Sequence, residues 1–254
     1  MLVINQMVKK HILVFMTGSD TDTTILSKIH RFRSSDDPKI AFVREILFVL
    51  LTVGAVVALL LLICGTWPAV VTIESESMVP HMNVGDLVLV VAPDRYSALE
   101  SRYDSLASYL SGTPTGKEKF TLEGDVIIYR PNGNTDLHPI IHRALFFAES
   151  GEQIPVTIGG QKGLYTTQHE GYITKGDNNP TIDQIGWNNY RGLGGPLEPV
   201  RQEWIIGKAL VKVPYVGYIP LHITEVIIFV VVIMILHELY LRSRSPEQSQ
   251  KKRR

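Results

Sequence analysis

Cysteine is nearly missing from this chain: Cys64 is the single one in 254 residues. No intramolecular disulfide can form, so the redox compartment cannot be read from bridges. Cys64 lies within an apolar run and reads as a small apolar filler. Excess charge is missing too. The 25 Lys and Arg balance 25 Asp and Glu, and no basic stripe crosses the middle of the chain. That removes the electrostatic footprint of nucleic-acid binding. Paired Cys/His ligand spacings are absent, which argues against structural zinc, and neither a metal nor an organic cofactor is implied. No internal repeat occurs. The length suits one domain of ordinary size with extra segments.

What the chain does have is apolar sequence in two long runs. Ile46 to Cys64 contains no charged residue. At 1.5 Å per residue it spans roughly 28 Å, close to the thickness of a hydrocarbon core. It is longer than the apolar region of a cleavable targeting peptide and follows a long leader, so a retained transmembrane helix over 46–66 is expected. The second run, 216–236, carries His222 and Glu225 near its start, and its strongest part is Val226 to Leu236. Basic residues flank the runs: Lys28, Arg31, Arg33, Lys39 and Arg44 before the first, then Arg242, Arg244 and Lys251 to Arg254 after the second. The positive-inside tendency puts both ends in the cytoplasm, as a leader over 1–45 and a basic tail over 237–254. Residues 67–215 then lie outside, with Trp67 as an interfacial anchor.

That external region reads mostly as strands. β-Branched runs at 86–91, 124–130, 139–147, 154–158, 172–174 and 204–213 are separated by turn signals such as Pro131-Asn132-Gly133-Asn134. A mostly β, compact domain is expected. One stretch departs from this pattern. Tyr96, Leu99, Tyr103, Leu106 and Leu110 recur at helical spacing between Ser97-Ala98-Leu99-Glu100, which could form a capping box, and Gly112. A helix inserted over 95–111 is expected. The leader reads as solvated and poorly ordered after Thr17, and the short apolar run Ile12 to Met16 has no evident role.

Three segments could carry chemistry. Ser75-Glu76-Ser77-Met78-Val79-Pro80 follows the first apolar run by about a dozen residues. Ile140-Ile141-His142-Arg143 offers a histidine on a strand, and Lys175-Gly176-Asp177-Asn178-Asn179 leads to Asp183. A serine hydroxyl needs a base to accept its proton. Histidine titrates near neutrality, and an acid fixes its tautomer and stabilises the imidazolium. Each segment also has a bland reading: a polar turn, a satisfied core histidine, an Asp/Asn turn. The combination, in the order Ser, His, Asp, favours nucleophilic catalysis.

Together with Gly124-Asp125-Val126-Ile127-Ile128-Tyr129, these segments resemble the boxes of the type I signal peptidases (peptidase S26 family), in that family's order and over about residues 46–213. Bacterial members use a Ser–Lys dyad. Here His142 stands where they have the lysine, so the chain resembles the archaeal and endoplasmic-reticulum branch. The resemblance implies a signal-peptidase-like β domain with Ser77 as nucleophile, His142 as general base and Asp183 as orienting acid. Asp177 is the second candidate acid, holding the loop or the hydrogen bonds of the site. Ser75 is a candidate oxyanion ligand and Met78 a further oxyanion or substrate-binding candidate. The long stretches 92–122 and 148–171 and the second apolar run depart from the simplest members.

The function so implied is a multi-pass cell-membrane serine endopeptidase, its catalytic domain extracytoplasmic, cutting signal peptides from exported preproteins. Its partners would be those preproteins, the lipid bilayer and the protein translocation machinery. Two alternatives stay open. One is a dedicated membrane protease for a few surface-protein precursors. The other is a catalytically inactive, membrane-anchored binding domain.

Overall fold

The computed structural model describes residues 20–186 and 192–244. The run Ile12 to Met16 and the basic residues Lys251 to Arg254 lie outside the described residues. The chain divides into two units, residues 1–59 and 60–254.

In the first unit α1 (Asp20–Arg33) occupies a stretch where no element was expected. Asp20 to Thr24, within the leader expected to be poorly ordered after Thr17, lie in this helix. Next, α2 (Pro38–Cys64) starts eight residues before the expected span. Asp37 Oδ1 accepts the Lys39 N–H at 2.8 Å, and Pro38 takes the first helical position, where a missing N–H is harmless. The apolar side chains of α2, such as Phe48 and Leu62, are exposed. A helix apolar all round needs a protein core or a bilayer about it, and no protein among the described residues covers this one.

The second unit receives the last turn of α2, which stops at Gly65 (φ +67°). Its centre is a six-stranded antiparallel sheet in the order β1-β2-β10-β5-β6-β9. The strands are β1 (Val70–Thr72), β2 (Leu87–Val91), β5 (Val126–Tyr129), β6 (Ile140–Ala148), β9 (Gly171–Lys175) and β10 (Ile205–Val213). Two hairpins stand apart, β3 (Glu118–Lys119) with β4 (Leu122–Glu123) and β7 (Gln153–Ile158) with β8 (Gln161–Thr166). The mostly β expectation holds. All four residues of β5 are buried because both faces of the sheet are covered. By the period of two, Val126 and Ile128 join Ile73, Val88 and Ile206 on one side. Ile127 and Tyr129 join Ile140, Leu197 and Val200 on the other.

The helix expected over 95–111 is corrected to α3 (Leu106–Ser111), capped by Ser105 and Ser108 rather than Ser97 and Glu100. Residues 99–103 form no helix; they are an irregular segment bonded to the sheet. Arg102 N–H donates to Ala144 O at 2.9 Å, Tyr103 N–H to Leu145 O at 2.7 Å, and Asp125 N–H to Glu100 O at 2.7 Å. The apolar spacing that imitates a helix instead lets Leu99 reach one core cluster and Tyr103 another. The second apolar helix is also displaced. Val216 to His222 forms a turn and the short α5 (Tyr218–Leu221), and α6 (Ile223–Arg244) begins only after it. Pro220 lacks an N–H, and His222 leaves helical geometry at φ −116°, ψ 35°. By length and composition, Pro38–Cys64 and Ile223–Leu241 are each sufficient to cross a membrane.

Candidate active site

His142 and Arg143 are neighbours on β6, so the strand sends them to opposite faces. Each finds its own acid on the segment that follows β9. His142 Nδ1–H donates to Asp183 Oδ2 at 2.6 Å. Arg143 holds Asp177 with two bonds, Nε to Oδ1 at 2.8 Å and Nη2 to Oδ2 at 2.7 Å. Its Nη1 reaches the Gly124 carbonyl at 2.5 Å and the β3–β4 hairpin carbonyls of Lys119, Leu122 and Glu123. Arg143 is wholly buried.

Asp183 opens α4 (Asp183–Gly186) and is 1% exposed. Its Oδ2 also accepts the Thr174 hydroxyl at 2.7 Å and the Tyr129 hydroxyl at 3.1 Å. Burial pushes its carboxyl pKa up. The His142 charge and the bonds from His142, Thr174 and Tyr129 outweigh that and hold it below the usual value. An ionised Asp183 can only accept, so the Nδ1 of His142 carries the proton and Nε2 is the basic nitrogen.

Ser77 stands on a single 3₁₀ turn, Glu76–Met78. The turn is anchored from below by Met78, which is fully buried in the core and does not line the cleft. Its side chain packs in the core, so any oxyanion or substrate role for Met78 falls to its backbone amide. From the other side the loop after β9 grips the same turn. Asn178 N–H donates to Ser77 O at 2.8 Å, and Asn178 Nδ2 to Glu76 O at 3.1 Å. A Cβ on Gly176 would stand 2.7 Å from Ser77 O, so only glycine permits this approach. Ser75 Oγ lies 3.1 Å from Ser77 Oγ.

A cleft of about 740 Å³ is lined by Ser75, Ser77 and His142 together. Among the described residues no hydrogen bond joins Ser77 to His142. Such bonds are commonly long before substrate arrives. The structure thus brings Ser77, Ser75 and His142 to one cleft, sets Asp183 behind His142, and puts Asp177 on Arg143. Sequence reasoning missed Thr174 and Tyr129 around Asp183. It also missed His81, whose Nδ1 lies 2.9 Å from Asp177 Oδ2. Tyr129 closes the Gly124–Tyr129 box but was given no role there, and nothing in a linear pattern marks Thr174 or His81. Among the described residues no group of three His, Cys, Asp or Glu side chains could hold a metal ion.

No family model matches the chain. It is similar to the signal peptidase complex catalytic subunit SEC11 of Schizophyllum commune (strain H4-8 / FGSC 9210), 29% identical over 157 residues. That stretch is 61% of this chain and spans 65% of the relative's length. The similarity to this signal peptidase subunit thus covers less than two thirds of either protein, in a chain whose described residues form an antiparallel β domain and two helices apolar enough to cross a membrane.

Proposed function

We propose that this chain is a membrane-bound serine endopeptidase that removes amino-terminal signal peptides from exported preproteins. The observation that supports this most is the 2.6 Å His142–Asp183 pair, whose imidazole shares a cleft with Ser77. In this reading Ser77 Oγ attacks the scissile carbonyl as His142 Nε2 takes its proton. Asp183 holds the tautomer and stabilises the imidazolium without itself being protonated. Backbone amides of the Glu76–Met78 turn and the Ser75 hydroxyl receive the oxyanion. His142 then gives its proton to the leaving amine, and water, deprotonated by the same nitrogen, releases the acyl-enzyme. Asp177 acts at one remove, tying the loop to Arg143.

The apolar helices anchor the domain, represented by residues 67–215, to the bilayer. The basic leader and tail lie in the cytoplasm, and the cleft faces the side where preproteins emerge, next to the translocation machinery. The test is cleavage of a generic preprotein by membranes carrying the wild type, Ser77→Ala or His142→Ala. Each variant should lose nearly all activity while still inserting. The double variant should be no worse than either single one, because the pair works as a unit. Turnover by Ser77→Ala near the wild-type rate would sink the reading.

A further inference from the structure

Pro220 and Leu221 stand in the wall of the same cleft as Ser77 and His142, and the mechanism above gives them no task. They belong to α5, the single turn between the sheet and α6. Two glycines lock α5 in place. Gly217 N–H donates to Gly85 O at 2.9 Å. A Cβ on Gly217 would come 2.6 Å from the Thr72 methyl, and one on Gly85 would come 2.2 Å from the Tyr218 ring. Leu221 N–H closes onto Gly217 O at 3.2 Å. The wall is therefore seated on β1 and on the turn before β2.

Its position along the chain is equally telling. Leu221 precedes α6 by two residues, a reach of at most about 7 Å. Pro68, on the same cleft, follows α2 by four residues, at most about 14 Å. Ser77 is much farther along the chain from either apolar helix. With Val71, these residues make an apolar stretch of cleft beside the ends of both helices, whereas the catalytic candidates lie with Asn178 and Asn179. Chain length therefore ties Pro68 and Leu221 to within about 14 Å of the helix ends, a limit it does not impose on Ser77.

We propose that α5 is a wall of the substrate cleft. Leu221, with Pro220 and Pro68, receives the apolar segment of a membrane-emerging peptide on the amino-terminal side of the scissile bond. The inference rests on the peptidase reading for the existence of that bond, and on the cleft for the seating of the segment. The occupant is the peptide itself, because the wall is continuous with the Ser77–His142 cleft; a lipid chain lodged there would leave no mark on a bound preprotein.

The test uses the full chain in lipid vesicles. Ser77→Ala keeps the peptide uncut, and Leu221→Cys supplies the accessible thiol, since Cys64 is fully buried. One preprotein carries a cysteine in its apolar segment; another carries it equally far beyond the scissile bond. On mild oxidation the first should crosslink at least fivefold faster. Equal rates, or no crosslink to either, overturn the proposal. In the Ser77-intact protein, Leu221→Gln should raise KM at least fivefold more for a preprotein than for a soluble peptide of four residues on each side of the bond. Leu221→Met should recover most of that difference, and an equal change for both substrates overturns the proposal. A wild type that cuts no preprotein would strike the peptidase reading, while the crosslink pattern still decides the seating.

Discussion

Replacing Asp177 with Asn removes one charge from a pair that water does not reach. The Arg143 side chain is wholly buried and that of Asp177 is 3% exposed. After the substitution the guanidinium keeps its carbonyl partners on the β3–β4 hairpin but loses its counter-charge. The new amide also turns N–H groups toward Arg143 or His81, which need acceptors. Breaking a buried pair from one side costs about 3–5 kcal/mol, because the remaining charge stays buried without compensation. At 2–4 °C per kcal/mol for a domain of this size, the melting temperature should fall by about 6–20 °C. Chemistry should suffer less. Asp177 does not touch His142, so single-turnover cleavage well below the melt, at saturating preprotein, should slow by no more than about tenfold. The decisive companion is Asp177→Leu with Arg143→Met, which replaces the pair by apolar bulk. It should melt well above Asp177→Asn, since a buried pair exchanged whole is often neutral. Melting can be followed by circular dichroism in detergent. An Asp177→Asn protein that melts within 2 °C of the wild type yet cleaves nothing would refute this division of labour and make Asp177 part of the chemistry.

Other expectations follow from the same geometry. Asp183→Asn should cut the single-turnover rate by about 10³-fold or more with little change in KM, because an amide can hold the wrong imidazole tautomer and cannot stabilise the imidazolium. A rate within tenfold of the wild type would exclude Asp183 as the orienting acid. The carboxyl pKa of Asp183 is lowered on folding, so its stabilisation is present above its ordinary titration range and is lost as pH falls through the folded value. The gap in melting temperature between wild type and Asp183→Asn should therefore shrink below about pH 4, and a gap that widens there contradicts it. A protease site placed at Asn132 should be cut only from outside intact cells and one in the tail only from inside. Access to the tail from outside would remove α6 as a second span. Gly85→Ala, strained at φ +84° and driven into the Tyr218 ring, should loosen α5 and raise protease sensitivity around residue 217, readable by limited proteolysis.

Much of this protein is written in its linear pattern. Uninterrupted apolar residues require a helix wherever backbone groups leave water, so the cores of Pro38–Cys64 and of α6 could be anticipated, with ends off by up to about two turns. β-Branched runs between turn residues marked β2, β5, β6, β9 and β10, because each must bury at least one face of a pleated strand. Short elements were not legible. β1 has three residues, and β8 has too little apolar content to stand out; pairing with β2 and β7 makes them strands. The segment 99–103 shows the converse. Its spacing suits a helix, but backbone bonds to Ala144 and Leu145 and two separate core clusters hold it in an irregular path, since non-local pairing outweighs a weak local preference.

The candidate site divides along the same line. Ser77, His142 and two acids could be named from residue type and order, for those depend on the chemistry a hydroxyl and an imidazole require. The resemblance pointed to Asp183 as the orienting acid, but residue type and order alone left Asp177 open as the second candidate. Asp177 and Asp183 share one loop, and only the alternation of β6, sending His142 to one face and Arg143 to the other, parts them. Tyr129 and His81 join the two acids from segments far away in sequence and Thr174 from β9 nine residues before Asp183, and α5 reaches the cleft only because two glycines let separate segments touch. Sequence alone determined the two apolar helices, the longer strands and the candidate reactive groups, because hydrophobicity and functional chemistry are properties of individual residues and short runs. Tertiary structure decided the pairings, because a hydrogen bond at 2.6 Å depends on strand register and packing that no local pattern encodes.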